Sequence, residues 1–187
     1  MKKYLLPLAL AITSVTHAAE PFSLSSPNFK EGGTLADEHV FNGFGCTGGN
    51  LSPALLWSGA PAGTKSLAVL VHDAAAPTGG AGWWHWAVIN IPATATALAK
   101  GAGEVSGSKL PAGSRQITTD FGAPGWGGPC PPQGNAPHPY VFTLHALKVE
   151  KLELPPNATA SLAGYMVNAN TLAKTTLTGR YGRPPAQ

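Results

Sequence analysis

Ser66-Leu67-Ala68-Val69-Leu70-Val71 and Trp83-Trp84-His85-Trp86-Ala87-Val88-Ile89-Asn90-Ile91 decide the fold. Both runs are apolar on either face and rich in β-branched or aromatic residues. The first ends at a turn, and the second halts at Pro92. Runs of this length and composition read as strands covered on both sides, as inside a sandwich or between packed layers. Tyr140-Val141-Phe142-Thr143-Leu144-His145-Ala146-Leu147 is a third of the same kind. Weaker strand signals lie at 22–24, 55–57 and 115–119. Turn residues recur between the runs, with 23 Gly and 18 Pro spread along 187 residues. That punctuation favours an all-β sandwich with long connections.

One helix is expected. From Ala158 to Ala173, the residues Leu162, Tyr165, Met166, Ala169 and Leu172 recur at three- and four-residue spacing, which predicts an apolar face laid across the sandwich. Asn157 or Thr159 is placed to cap its start, after the stop at Pro155-Pro156. The tail from Gly179 to Pro185 is polar and is expected to be loosely held. The loop from Gly122 to Pro137 carries Trp126, Cys130, Pro131 and Pro132. A long irregular piece in a compact domain is usually functional or disordered, and prolines with a pinned cysteine favour function.

The first residues read as an export signal. Lys2 and Lys3 precede an apolar stretch from Tyr4 to Ile12, and Thr16-His17-Ala18 resembles a cleavage site. The expected division is a signal over 1–18 and one domain over 19–187, located in the periplasm or secreted. No later segment has about 18 unbroken apolar residues, the length a membrane-spanning helix needs. The chain has 12 basic and 9 acidic residues. Removing 1–18 takes away two lysines and no acid, so ten basic and nine acidic residues remain, a net +1. Lys30, Lys65, Lys100, Arg115 and Lys148 are scattered and form no basic face, which excludes a nucleic-acid binder. Cys46 and Cys130 allow one pairing, and an oxidising compartment favours a disulfide there over two separate buried thiols. A zinc site would want more soft ligands at closer spacing.

Few charges stand near the apolar runs, so those that do matter. Asp73 follows the first run and needs solvent, a partner or hydrogen bonds. His85 lies inside the second run, and His138 sits between Pro137 and Pro139. Tyr140 shares the parity of Phe142 and Leu144, with its hydroxyl as a polar tip. If the four converge, two imidazoles and a phenol offer donors to an anion, and Asp73 holds one imidazole in a defined tautomer. Pro77, Pro131 and either Trp84 or Trp86 would supply walls. Two imidazoles and a carboxylate also suffice in principle for a divalent metal. A hydrolase using Asp73, His85 and His138 is a further alternative, although no Ser or Cys in these motifs serves clearly as nucleophile. A protein-interaction module, such as a protease inhibitor acting through the loop around Trp126, is another. Gly43-Phe44-Gly45-Cys46-Thr47-Gly48 matches G-x-G-x-x-G only formally, because no helix pattern follows it.

Taken in order, these motifs resemble the phosphatidylethanolamine-binding protein family, in its bacterial Raf-kinase-inhibitor-like branch. The segment from Cys46 to Pro53, with Trp57, is similar to that branch's N-terminal motif. The stretch from His72 to Pro77 is similar to the family's D-P-D-A-P loop, and Gly82 to Trp86 to its next strand. Thr119-Asp120-Phe121-Gly122 and Gly127-Gly128-Pro129-Cys130-Pro131-Pro132 resemble the loop that follows, and His138-Pro139-Tyr140 stands where the family has H-R-Y. The resemblance implies a mainly β fold, an antiparallel sandwich with peripheral helices, and a pocket for phosphate, acetate or a phosphoethanolamine group. It implies ligand contacts at Asp73, His85, His138 and Tyr140, with no cofactor and no catalytic reaction. Expected partners are a small anionic ligand or phospholipid head group, with peripheral membrane contact or a protein partner left open. Ala74, Ala75 and Pro139 depart from the family pattern and remove one negative and one positive charge from the pocket mouth.

Overall fold

The three apolar runs become the three central strands of one large sheet. In chain order, the computed structural model, which describes residues 20–186, has these elements. They are β1 (Ser23–Ser25), β2 (Asn42–Gly43), β3 (Cys46–Thr47), β4 (Leu55–Ser58), β5 (Ser66–Asp73), β6 (Trp83–Pro92), β7 (Ala97–Leu98), β8 (Arg115–Gln116), β9 (His138–Leu147), α1 (Ala160–Asn170) and β10 (Thr171–Tyr181). The large sheet has the order β10-β9-β5-β6-β8, a smaller one has β1-β4-β7, and β2 with β3 forms a hairpin. All named strand pairs are antiparallel. The export-signal reading concerns residues that lie outside the described ones. Among the described residues, no helix is long and apolar enough to cross a membrane.

Both faces of the large sheet are covered, which is why its central strands carry apolar residues at consecutive positions. One face packs Val69, Val71, Trp86, Val88, Phe142 and Leu144 against Leu24, Leu55, Trp57 and Leu98 of the small sheet. The other packs Ala68, Leu70, Ala87 and Ile89 against Ala160, Ala163 and Val167 of the helix. The expected antiparallel sandwich with a C-terminal helix is the observed architecture.

The helix differs from its expectation in which face it buries. Thr159 caps it, its hydroxyl accepting from Leu162 N at 3.2 Å. The buried residues are Ala160, Ala163, Gly164 and Val167, whereas Tyr165 is 72% exposed and Leu162 and Leu172 also face solvent. Small residues win because the sheet lies close. A Cβ added at Gly164 would come within 3.2 Å of the Trp84 ring. Large apolar residues would hold the helix away.

The C-terminal segment differs too. Instead of a helix to Ala173 and a loose tail, the chain turns at Thr171 into β10, the longest strand, which pairs along β9 from Leu147 to His138. Gly179 to Tyr181 therefore belong to the sheet, and Gly32 to Leu35 straps their outer side through Gly32 N–H to Thr178 O and Leu35 N–H to Arg180 O. The weak signal at 115–119 reduces to β8, with Thr118 making only isolated bridges.

One irregularity positions the site. Between the pairs Val71↔Trp86 and His72↔Trp84 the ladder of β5 and β6 slips, and His85 is the extra residue. A bulge of this kind breaks strict alternation. His85 and Trp86 consequently both serve the small-sheet side, while Trp84 serves the helix side.

Candidate functional site

Asp73 ends β5 and His138 begins β9, just past the last pair of their ladder, His72 with Val141. The Asp73 carboxylate accepts from Ala75 N–H at 2.8 Å, which starts the turn out of the strand, and from His138 Nδ1–H at 2.7 Å. Both side chains are buried. His138 Nε2 accepts from Asn135 Nδ2 at 3.3 Å, so both ring nitrogens are committed.

His85 donates Nδ1–H to Gly127 O. Burial drives its pKa down to about 4, so the imidazole is neutral at physiological pH with its Nε2 lone pair free. Its ring meets Tyr140 edge-on, with centroids 4.9 Å apart. Burial, reinforced by the Asp73 charge, pushes the Tyr140 phenol above its usual range, so it keeps its proton. Neither the Tyr140 hydroxyl nor His85 Nε2 has a hydrogen-bond partner among the described residues.

These groups surround one cavity of about 230 Å³. Asp73, Pro77, His85, Pro131, His138 and Tyr140 all line it. Trp86 does not, and this is a correction. It is fully buried in the core beside Trp126, its indole N–H given to Gln116 Oε1 at 2.7 Å. Trp84 packs against His72 instead, the rings tilted by 45°, on the far side of the sheet. The tryptophan that forms a wall is Trp83, which lies two residues before His85 and shares its face by ordinary alternation, whereas the bulge turns Trp86 to the same side but into the core.

Sequence reasoning missed two further walls, Phe44 and Phe121. Phe44 tips the β2–β3 hairpin at φ 53°, is 70% exposed, and stacks with Phe121 at 6.0 Å. Cys46 pairs with Cys130 in a disulfide, Cα atoms 6.0 Å apart, which ties this hairpin to the Pro131-Pro132 wall. An aromatic two residues from a cysteine whose partner adjoins a wall proline was the available signal.

The loop from Gly122 to Pro137 is ordered by the core and presents no tryptophan to solvent. Trp126 is 5% exposed, stacks on Phe142 at 5.7 Å and donates Nε1–H to His39 O at 3.1 Å. Arg183 braces the back of the wall through Gly45 O at 2.8 Å and Pro131 O at 3.3 Å. Among the described residues, no group of three or more His, Cys, Asp or Glu is placed to hold a metal ion.

Comparison with known proteins places this geometry. The family model described as phosphatidylethanolamine-binding protein matches residues 25–182. The chain belongs to that family. Its relatives include the UPF0098 protein YbcL of Escherichia coli (strain K12), 50% identical over 181 residues, covering 97% of this chain and 98% of YbcL. YbhB of the same organism is 43% identical over 159 residues, 84% of this chain and 98% of YbhB. The crystal structure of E. coli YbcL, described as a new member of the mammalian PEBP family, superposes with a TM-score of 0.84 at 53% identity. It covers 86% of this chain and 98% of that one. Family membership accounts for the sandwich.

Proposed function

We propose that the protein is a non-catalytic binding protein, working outside the cytoplasm, that takes a small phosphate-type anion or phospholipid head group between Asp73, His85, His138 and Tyr140. One observation carries this. Two polar atoms, the Tyr140 hydroxyl and His85 Nε2, are left without protein partners and line a largely apolar cavity, where they are free to bond a guest. A guest that accepts from Tyr140 and donates to His85 pairs both. A phosphate oxygen with its neighbouring P–OH does so. The Cys46–Cys130 disulfide supports the extracytoplasmic location, since reducing compartments do not keep structural disulfides.

The test is calorimetric titration with inorganic phosphate and glycerol 1-phosphate. Tyr140→Phe and His85→Ala are each expected to weaken binding about tenfold, the worth of one hydrogen bond to a charged group. Undiminished affinity in both variants overturns the proposal.

A hydrolase has one observation in its favour, the carboxylate that orients the His138 imidazole. Against it, both cysteines are disulfide-bonded and the Thr78 hydroxyl at the cavity is given to Gly82 O at 3.0 Å. Turnover of a phosphoester, ester or peptide that Asp73→Ala abolishes would reverse that preference.

A further inference from the structure

The large sheet carries a second cavity, of about 290 Å³, on its helix side. It shares no lining residue with the first. There α1 packs on Ala68, Leu70, Ala87 and Ile89 but leaves Val141 and Thr143 of β9 half-exposed. Alternation puts Val141, Thr143 and His145 on this face, because Tyr140, Phe142 and Leu144 fill the core on the other.

One end of the cavity is polar. Lys174 of β10 stands directly opposite His145 of β9, and opposed residues of an antiparallel pair project from the same face. The Lys174 ammonium has no ion pair among the described residues, and no carboxylate lines the cavity. His145 is 3% exposed. The Thr171 hydroxyl gives its proton to Val167 O at 2.8 Å, so at 3.0 Å it accepts from His145 Nδ1–H. That fixes the tautomer. Burial, with Lys174 beside it, keeps the ring neutral, and its Nε2 is left as an acceptor without a protein partner. A free cation next to a neutral acceptor is a specific combination. A carboxylate answers the first, and a hydroxyl on the adjoining carbon answers the second.

The other end is apolar and aromatic. His145 pairs with Ala68 and Val141 with His72, so the ends lie four residues apart along β5, a span of about 13 Å. Leu70 and Val141 line the stretch between, and Trp84 packs against His72 with centroids 4.3 Å apart. The His72 ring is held in place by its Nε2–H, given to Ala81 O at 3.1 Å. Largely apolar walls with a few polar groups gathered at one end suit a guest with an acidic head and a hydrophobic body.

We propose that this second cavity binds a small amphipathic α-hydroxy acid, its carboxylate on Lys174, its hydroxyl donating to His145 Nε2, and its aromatic or branched body lying along Leu70 and Val141 towards Trp84. A bare inorganic anion leaves the apolar end empty. A simple fatty acid leaves the imidazole lone pair unmet. The site stands on the opposite face of the sheet from the phosphate-type cavity and does not depend on it.

The probe is 3-phenyllactate, titrated into the disulfide-bonded protein and followed by calorimetry and by the nitrogen shifts of the histidine rings. The expected result is saturable binding that moves His145 Nε2 and leaves His85 unmoved. Removing the hydroxyl (3-phenylpropionate) or the charge (3-phenyllactamide) is expected to weaken binding about tenfold each, as is Lys174→Met, a change at an exposed side chain. Lactate, which lacks the ring, is expected to bind more weakly still, and inorganic phosphate is expected not to displace the probe. No binding at millimolar 3-phenyllactate overturns the proposal. So does equal affinity for 3-phenylpropionate, or displacement by phosphate with His85 shifting in place of His145.

Discussion

His138 Nδ1 and Asp73 Oδ2 stand 2.7 Å apart although 65 residues separate them in the chain. The contact closes the end of the β5–β9 ladder and fixes the imidazole in the tautomer that protonates Nδ1. Both partners are buried, so removing one strands the other. Asp73→Ala is expected to lower stability by about 3 kcal/mol. Asp73→Asn should cost less, because an amide oxygen still accepts from Nδ1–H. Urea unfolding measures both, and a wild-type midpoint for the alanine variant would show the pair to be structurally idle.

Acid should weaken the fold before the carboxylates titrate. Burial lowers the pKa of His85 to about 4, and it does the same to His145, with Lys174 adding to the effect. Between about pH 6.5 and 4 the unfolded chain therefore binds protons that the folded one refuses. Stability is level above pH 7 and falls as pH drops through that window, by up to about 3 kcal/mol for each histidine. Urea midpoints taken from pH 7.5 to 5 check the sign. A flat profile would mean that neither ring is kept neutral by the fold.

The disulfide spans 84 residues. Closing so long a loop restricts the unfolded chain and stabilises the protein by about 4–5 kcal/mol. Replacing both cysteines by serine, or adding reductant, should lower the thermal midpoint accordingly. It should also loosen the Phe44 hairpin from the Pro131 wall and weaken phosphate binding. Identical melting with and without reductant would contradict this.

Two aromatics should behave oppositely to their sequence reading. Trp126→Ala empties a core position and is expected to cost about 3–5 kcal/mol. Tyr165→Ala on the exposed helix face should change stability by less than about 0.5 kcal/mol. Comparable losses in the two variants would refute the observed packing.

The central strands were legible because burial on both faces leaves an uninterrupted apolar run, as Ser66 to Val71 displays. β10 was not. Its residues, from Thr171 to Tyr181, are mostly half-exposed at a sheet edge and carry no such run. The helix was legible as a helix but not in its orientation, since Ala163, Gly164 and Val167 pack by being small while larger apolar neighbours point to water. Around the cavity, Asp73, His85, His138 and Tyr140 stood out as polar residues among apolar ones. Trp83 was legible too, since it lies two residues from His85 and shares its face, whereas the bulge at His85 turns Trp86 into the core on that same side and leaves no mark in composition. Phe44 carried only an indirect signal. Its role comes from a covalent link made by Cys46, not from any periodicity.

The strap formed by Gly32 to Leu35 against β10 means that an early stretch of the polypeptide waits for a late one. Until Thr171 to Tyr181 has been synthesised, β9 lacks its outer neighbour and the strap has nothing to hold. Such distant pairings form more slowly than local ones. A chain interrupted before β10 thus leaves both β9 and the strap without the partner that holds them.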